Sequence, residues 1–150
     1  MKKTLMLAAT LVAALSSFAF TPFTPVNNVC PECDQPAADV VTLTSGDTVR
    51  AQVVGENPSF YVVVRYGEAR AIPRGEVRGI EWASGSKPPN VSSSDQILLR
   101  NGVVFAGNIV EDKTKPPLLQ IKSNWTDQTY VVFKAQVQEA YRSGVKLDLN

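Results

Sequence analysis

The residues best suited by type and spacing to do chemistry are Cys30 and Cys33, the chain's 2 cysteines, in Cys30-Pro31-Glu32-Cys33. A C-x-x-C pair supports several chemistries. A thioredoxin-like redox site would set the first cysteine at a helix N-terminus after a strand, where the thiolate is stabilised. The flanks, Thr24-Pro25-Val26-Asn27-Asn28 and Asp34-Gln35-Pro36, read instead as a loop. A c-type haem site needs histidine directly after the second cysteine, and position 34 is aspartate. A zinc site needs two more ligands, from carboxylates or a second chain. The plainest expectation is a disulfide between Cys30 and Cys33 in an oxidising compartment. Linkage between chains, metal binding and periplasmic thiol-disulfide exchange stay open as alternatives.

The other chemistry is bounded by a zero. The 150 residues contain no histidine. That removes the commonest general acid/base, the commonest metal ligand, and the Ser-His-Asp and Cys-His nucleophilic systems. Two carboxylates facing one cleft could hydrolyse a glycosidic bond, but no acid spacing here demands it. The expectation is therefore a protein without catalytic residues and without cofactors or metals.

A surface for binding is the remaining kind of site. Arginine is concentrated in the first half of the body, at Arg50, Arg65, Arg70, Arg74 and Arg78. Interspersed Glu68, Glu76 and Glu81 partly offset this charge. The aromatics Phe60, Tyr61, Trp82, Phe105, Trp125, Tyr130 and Tyr141 supply apolar faces. Arg50, Arg65, Arg70, Trp125 and Tyr130 are the expected partner surface, with Trp125 expected to be exposed in a turn. Aromatics of this kind mark binding faces when they are exposed.

The N-terminus reads as an address. Lys2 and Lys3 precede an apolar run, and Ser17-Phe18-Ala19 has the small-x-small form of a signal-peptidase site. The run from Leu5 to Phe20 is shorter than the roughly 20 residues a spanning helix needs. Removing Lys2 and Lys3 leaves 13 of the 15 basic residues against 14 acids, so the net charge passes from +1 to −1. Export to the periplasm or the medium is expected, with no membrane span after cleavage and no nucleic acid as partner.

The elements that must position these residues are strands. The segment DVVTLTSGDTVRAQVVG from Asp39 aligns without a gap on DQILLRNGVVFAGNIVE from Asp95. Asp39/Asp95, Leu43/Leu99, Gly46/Gly102 and Val54/Val110 are identical. Internal repetition of this kind dictates the architecture. In each copy, apolar and polar residues alternate with the period of a strand. Five strands are expected in the first copy, near 41–44, 49–53, 60–66, 69–72 and 77–82. Five more are expected near 96–99, 104–110, 118–122, 130–133 and 137–141. Asn101-Gly102 predicts a type I′ hairpin turn with positive φ at both residues. Pro73 ends the fourth strand, because it has no N–H for the ladder. Arg74-Gly75-Glu76 then reads as a short turn of 3₁₀ type. Ala83 to Ser94 reads as a polar linker that forms no core.

The pattern L-x-x-G, a returning strand, a third strand and then I-P-x-x-x-V-x-x-I resembles the small SH3-like and Sm-like barrels found in tandem in exported bacterial envelope proteins. Leu43, Gly46, Val53, Ile72, Pro73, Val77 and Ile80 carry it in the first copy. Leu99, Gly102, Ile109, Val132 and Val137 carry it in the second, which departs at Phe133 and Ala140. The resemblance implies an all-β chain of two tandem five-stranded barrels after a signal peptide and a flexible leader. The expected boundaries are 1–19 signal, 20–38 leader, 39–83 first barrel, 84–94 linker, 95–144 second barrel and 145–150 tail. Units of about 45 residues bury too little surface to stand alone, so the two are expected to pack on each other or on a partner. The implied function is a non-catalytic scaffold of the cell envelope. Its partner is expected to be an envelope protein or a glycan, with self-association as a further expectation. Nucleic-acid binding of the Sm kind is the weakest alternative, since the RNA-contact motif has no match here.

Overall fold

The computed structural model describes residues 18–23 and 38–150. Cys30 and Cys33, and the signal segment up to residue 17, lie outside the described residues. The chain is all-β, with two antiparallel sheets. The first holds β1 (Asp39–Leu43), β2 (Thr48–Glu56), β3 (Phe60–Arg65), β4 (Glu68–Pro73) and β5 (Val77–Glu81), in the order β4-β3-β2-β1-β5. A short helix, α1 (Pro89–Ser93), follows. The second holds β6 (Asp95–Leu99), β7 (Val104–Thr114), β8 (Pro117–Ser123), β9 (Thr129–Phe133), β10 (Val137–Arg142) and β11 (Val145–Lys146). Its order, β11-β10-β6-β7-β8-β9, repeats that of the first sheet with one strand added.

Closed five-stranded barrels are not what forms. Among the described residues no ladder joins β4 to β5 or β9 to β10, so the sheets stay open, with five and six strands. The cause is the single 3₁₀ turn at Arg74–Glu76, and again at Lys134–Gln136. It redirects the chain so that the fifth strand pairs with the first. Each second strand is bent by a bulge, at Val53/Gly55 and at Ile109/Glu111. A bulge adds one residue on one strand and sharpens the twist.

The turns also differ from expectation. In Thr44-Ser45-Gly46 and Arg100-Asn101-Gly102 only the glycine takes positive φ, 97° and 87°. The N–H of Gly46 donates to the carbonyl of Leu43 at 3.0 Å, and Gly102 repeats this with Leu99 at 3.0 Å. This is a three-residue hairpin loop closed by a left-handed glycine, and Asn101 keeps negative φ. The two-residue turns with both φ positive lie at Tyr66-Gly67 and Ser143-Gly144.

Three apolar clusters hold the molecule. Val41, Leu43, Val49, Ala51, Val53, Val63 and Ile72 fill the first sheet's concave side. Ile97, Ile109, Leu119, Ile121, Val132, Val137 and Ala140 do the same in the second. The third cluster lies between the sheets, with Val54, Phe60, Val62, Val64 and Ala71 against Leu98, Val104, Ala106 and Tyr141. Phe60 and Tyr141 meet edge-on at 5.9 Å between ring centroids, and burying such a ring is worth roughly 1.5–3 kcal/mol.

Three segments read as loose are packed. Val91 of α1 is 1% exposed and joins the first sheet's core, so the linker does form core. In the tail, β11 pairs with β10, and Leu147 and Leu149 pack on the second core. Phe20 and Phe23, placed in the flexible leader, rest against the first core, and Phe18 meets Phe60 edge-on at 5.8 Å. The segment expected to form the fifth strand of the second copy is β10, a strand over Val137–Arg142.

Candidate functional site

A cleft of about 600 Å³ opens between the two sheets. Arg70 of β4 lines one wall, with Phe18, Ala69 and Ala71. The hairpin joining β6 to β7 supplies Arg100 and Phe105, β9 supplies Tyr130 and β10 supplies Gln138. Trp125 closes one side from the loop between β8 and β9.

That loop is pinned at both sheets. The Ser123 hydroxyl accepts the N–H groups of Trp125 and Thr126, at 3.3 and 3.2 Å. The Asn124 amide donates across to the Val54 carbonyl at 2.9 Å, and the Asn124 N–H donates to Ala106 at 3.1 Å. The indole thus packs against the cluster between the sheets. Trp125 is half-buried, where the turn position suggested exposure. It also forms part of the wall of a second hollow of about 850 Å³ with Gln52, Tyr66 and Asn90.

Two residues that line the first cleft carry a donor with no partner among the described residues. The Trp125 Nε1–H and the Arg70 Nε–H are both buried without a hydrogen bond. The rest of Arg70 is held: Nη2 pairs with Glu68 at 3.0 Å and Nη1 donates to the Ala69 carbonyl at 3.1 Å. A buried donor left unmet costs about 1–3 kcal/mol, so such groups call for an acceptor. Among the described residues the cleft is lined by two guanidinium groups, Arg70 and Arg100, and by no carboxylate. Phe105 and Tyr130 pack with their rings tilted 38° and centroids 4.9 Å apart, and the Tyr130 hydroxyl donates to the Gln128 side chain at 2.8 Å.

Of the residues expected to form a partner surface, Arg70, Trp125 and Tyr130 come together here. Arg50 stands exposed on β2, away from the cleft. Arg65 is half-buried, its guanidinium over the rings of Phe23 and Tyr66 at 5.9 and 5.2 Å. Arg70 faces the same Phe23 ring at 5.7 Å. Phe105, one of the aromatics that the sequence offers, belongs to the site, as do Arg100 and Gln138, which the sequence does not single out. An arginine beside a turn glycine carries no local signal beyond a solvated hairpin.

Among the described residues no three His, Cys, Asp or Glu side chains gather as a metal site. Among the same residues no helix is long and apolar enough to cross a membrane. Comparison with protein-family models, curated proteins and solved structures finds no match to this chain.

Proposed function

We propose that this chain is a non-catalytic, exported module of the cell envelope that binds a carboxylate-bearing partner, a glycan or a protein segment, in the cleft between its sheets. The observation that carries this is that Arg70 and Trp125, each with a buried donor left unpartnered, line a cleft whose described lining holds two arginines and no acid, although Arg70 also pairs with Glu68 behind it. A carboxylate accepts from a guanidinium with charge assistance, and the Phe105–Tyr130 pair offers an apolar face to a sugar ring or a side chain. Export rests on the sequence, from Lys2 and Lys3 through Ser17-Phe18-Ala19. Each sheet is read as an incompletely closed SH3-like barrel, and the two as tandem copies of one unit. This rests on the shared strand order and on bulges at aligned positions.

The test is affinity capture from an envelope extract with the wild type, Arg70→Met and Trp125→Phe in parallel. A glycan or protein retained by the wild type and lost with both variants supports the reading. Equal retention by all three contradicts it. N-terminal sequencing of the chain expressed in a bacterial host tests export, with Phe20 expected as the first residue; cleavage there takes Phe18 and Ala19 out of the cleft wall and leaves Phe20 and Phe23 on the first core.

A further inference from the structure

Val54 and Val110 stand at the bulges of their two sheets, yet they are 3% and 54% exposed. The difference extends to their neighbours. In the first sheet Val54, Phe60, Val62 and Ala71 lie beneath Leu98, Val104, Ala106 and Tyr141 of the second. The strand registers set Leu118, Gln120 and Val131 in the places of Phe60, Val62 and Ala71, with Phe133 in that of Pro73. Leu118 is buried, at 9% exposure, and Gln120 is half-buried, but the described chain leaves Val131 and Phe133 uncovered. Val131 is 57% exposed and Phe133 52%, against 7% for Ala71. Three of the described large hydrophobics that are exposed, Val110, Val131 and Phe133, therefore share one face. A face of this kind marks an interaction site.

The same registers identify what fits it. The face that covers the first sheet consists of Leu98, Val104, Ala106 and Tyr141. Its counterpart on the first sheet is Thr42, Thr48, Arg50 and Glu81. That counterpart is polar, so a second copy cannot dock head to tail and extend the series. A two-fold arrangement, with the same patch on both copies, remains. The rim suits it. Glu111 pairs with Lys113 at 2.8 Å and Asp112 with Lys134 at 2.7 Å, so both signs of charge border the patch. Strand β9 is also the outermost of its sheet, which leaves the patch open at the sheet's rim.

We propose that the Val110–Val131–Phe133 face is where two copies of this chain associate about a two-fold axis. The test is sedimentation equilibrium of the purified protein over a concentration series. A reversible monomer–dimer equilibrium is expected. Val131→Lys and Phe133→Lys are each expected to weaken it about tenfold or more, which is at least 1.4 kcal/mol. Val145→Lys, at an exposed site on β11, is expected to leave it unchanged. Circular dichroism shows whether each variant keeps its fold. A monomer at all concentrations overturns the proposal. A dimer indifferent to Val131→Lys and Phe133→Lys, or open-ended growth, overturns it as well.

Discussion

Asp39 and Asp95 do the same work in the two sheets. Asp39 accepts the N–H of Val53 at 2.9 Å and the N–H of Ala83 at 2.9 Å. Asp95 accepts the N–H of Ile109 at 2.7 Å and the N–H of Ser143 at 2.9 Å. Each buried carboxylate thus ties its second strand, beside the bulge, to the chain leaving its fifth. Replacing either by alanine strips the partner from two backbone donors. Asp39→Ala and Asp95→Ala are each expected to destabilise by about 2–4 kcal/mol, seen as a lower urea midpoint. A variant as stable as the wild type would contradict this role.

Gly107 is required where Ala51, its aligned counterpart, is not. A Cβ at Gly107 would collide with the carbonyl of Lys122 on the neighbouring strand, whereas Ala51 is fully buried without conflict. Gly107→Ala is expected to cost about 3 kcal/mol or more, in the range of overpacked cores. Ala51→Gly is expected to cost only about 1 kcal/mol. Thermal unfolding of the two variants distinguishes them, and similar losses would contradict the collision.

Glu56 anchors the connection between the sheets. Its carboxylate takes Lys87 at 2.5 Å, Ser92 at 2.6 Å and Arg74 at 3.1 Å. Burial raises its pKa. The hydrogen bonds from Lys87 and Ser92 and the charges of Lys87 and Arg74 outweigh burial, leaving the pKa below the ordinary 4.5. A lowered folded value means that this stabilisation is full above the unfolded pKa and is lost as pH falls through the folded one. The stability gap between wild type and Glu56→Gln is therefore expected to be open near about pH 6 and to close toward about pH 3. Unfolding followed across that range checks it, and a gap independent of pH would contradict it.

Tyr141 bridges the sheets twice. Its ring meets Phe60, and its hydroxyl lies 2.6 Å from the Ser59 hydroxyl while donating to Glu139 at 2.9 Å. Tyr141→Phe keeps the ring and is expected to cost about 1 kcal/mol. Tyr141→Ala empties the space between the sheets and is expected to cost about 3–5 kcal/mol. Equal losses for the two would place the stabilisation in the hydroxyl and contradict the packing account.

The strands were legible because alternation such as Val41-Thr42-Leu43 is local and one face of each sheet is buried. Pro73 and the arginine turn after it were legible for the same reason. The hairpin type at Asn101-Gly102 was not, since both a two-residue and a three-residue loop want glycine at the left-handed position. Phe18, Phe20 and Phe23 were read as address and leader because the apolar composition of a signal peptide hides a packed strap. Val91 was lost among serines and prolines. At the site, Arg70, Trp125 and Tyr130 stood out by residue type. Their meeting with Arg100 and Gln138 depends on how one sheet lies on the other, which no single stretch of chain encodes.

Carboxylate binding in the cleft is the role proposed for Arg70 and Trp125. Its most direct test is a titration of Trp125 fluorescence, in a Trp82→Phe background, with uronic-acid oligosaccharides and with acidic peptides. Saturable binding of at least one of these is expected, weakened about tenfold or more by Arg70→Met, as for the loss of a charge-assisted hydrogen bond, and weakened by added salt. No saturable response to either class of probe, or binding unaffected by Arg70→Met, would contradict it.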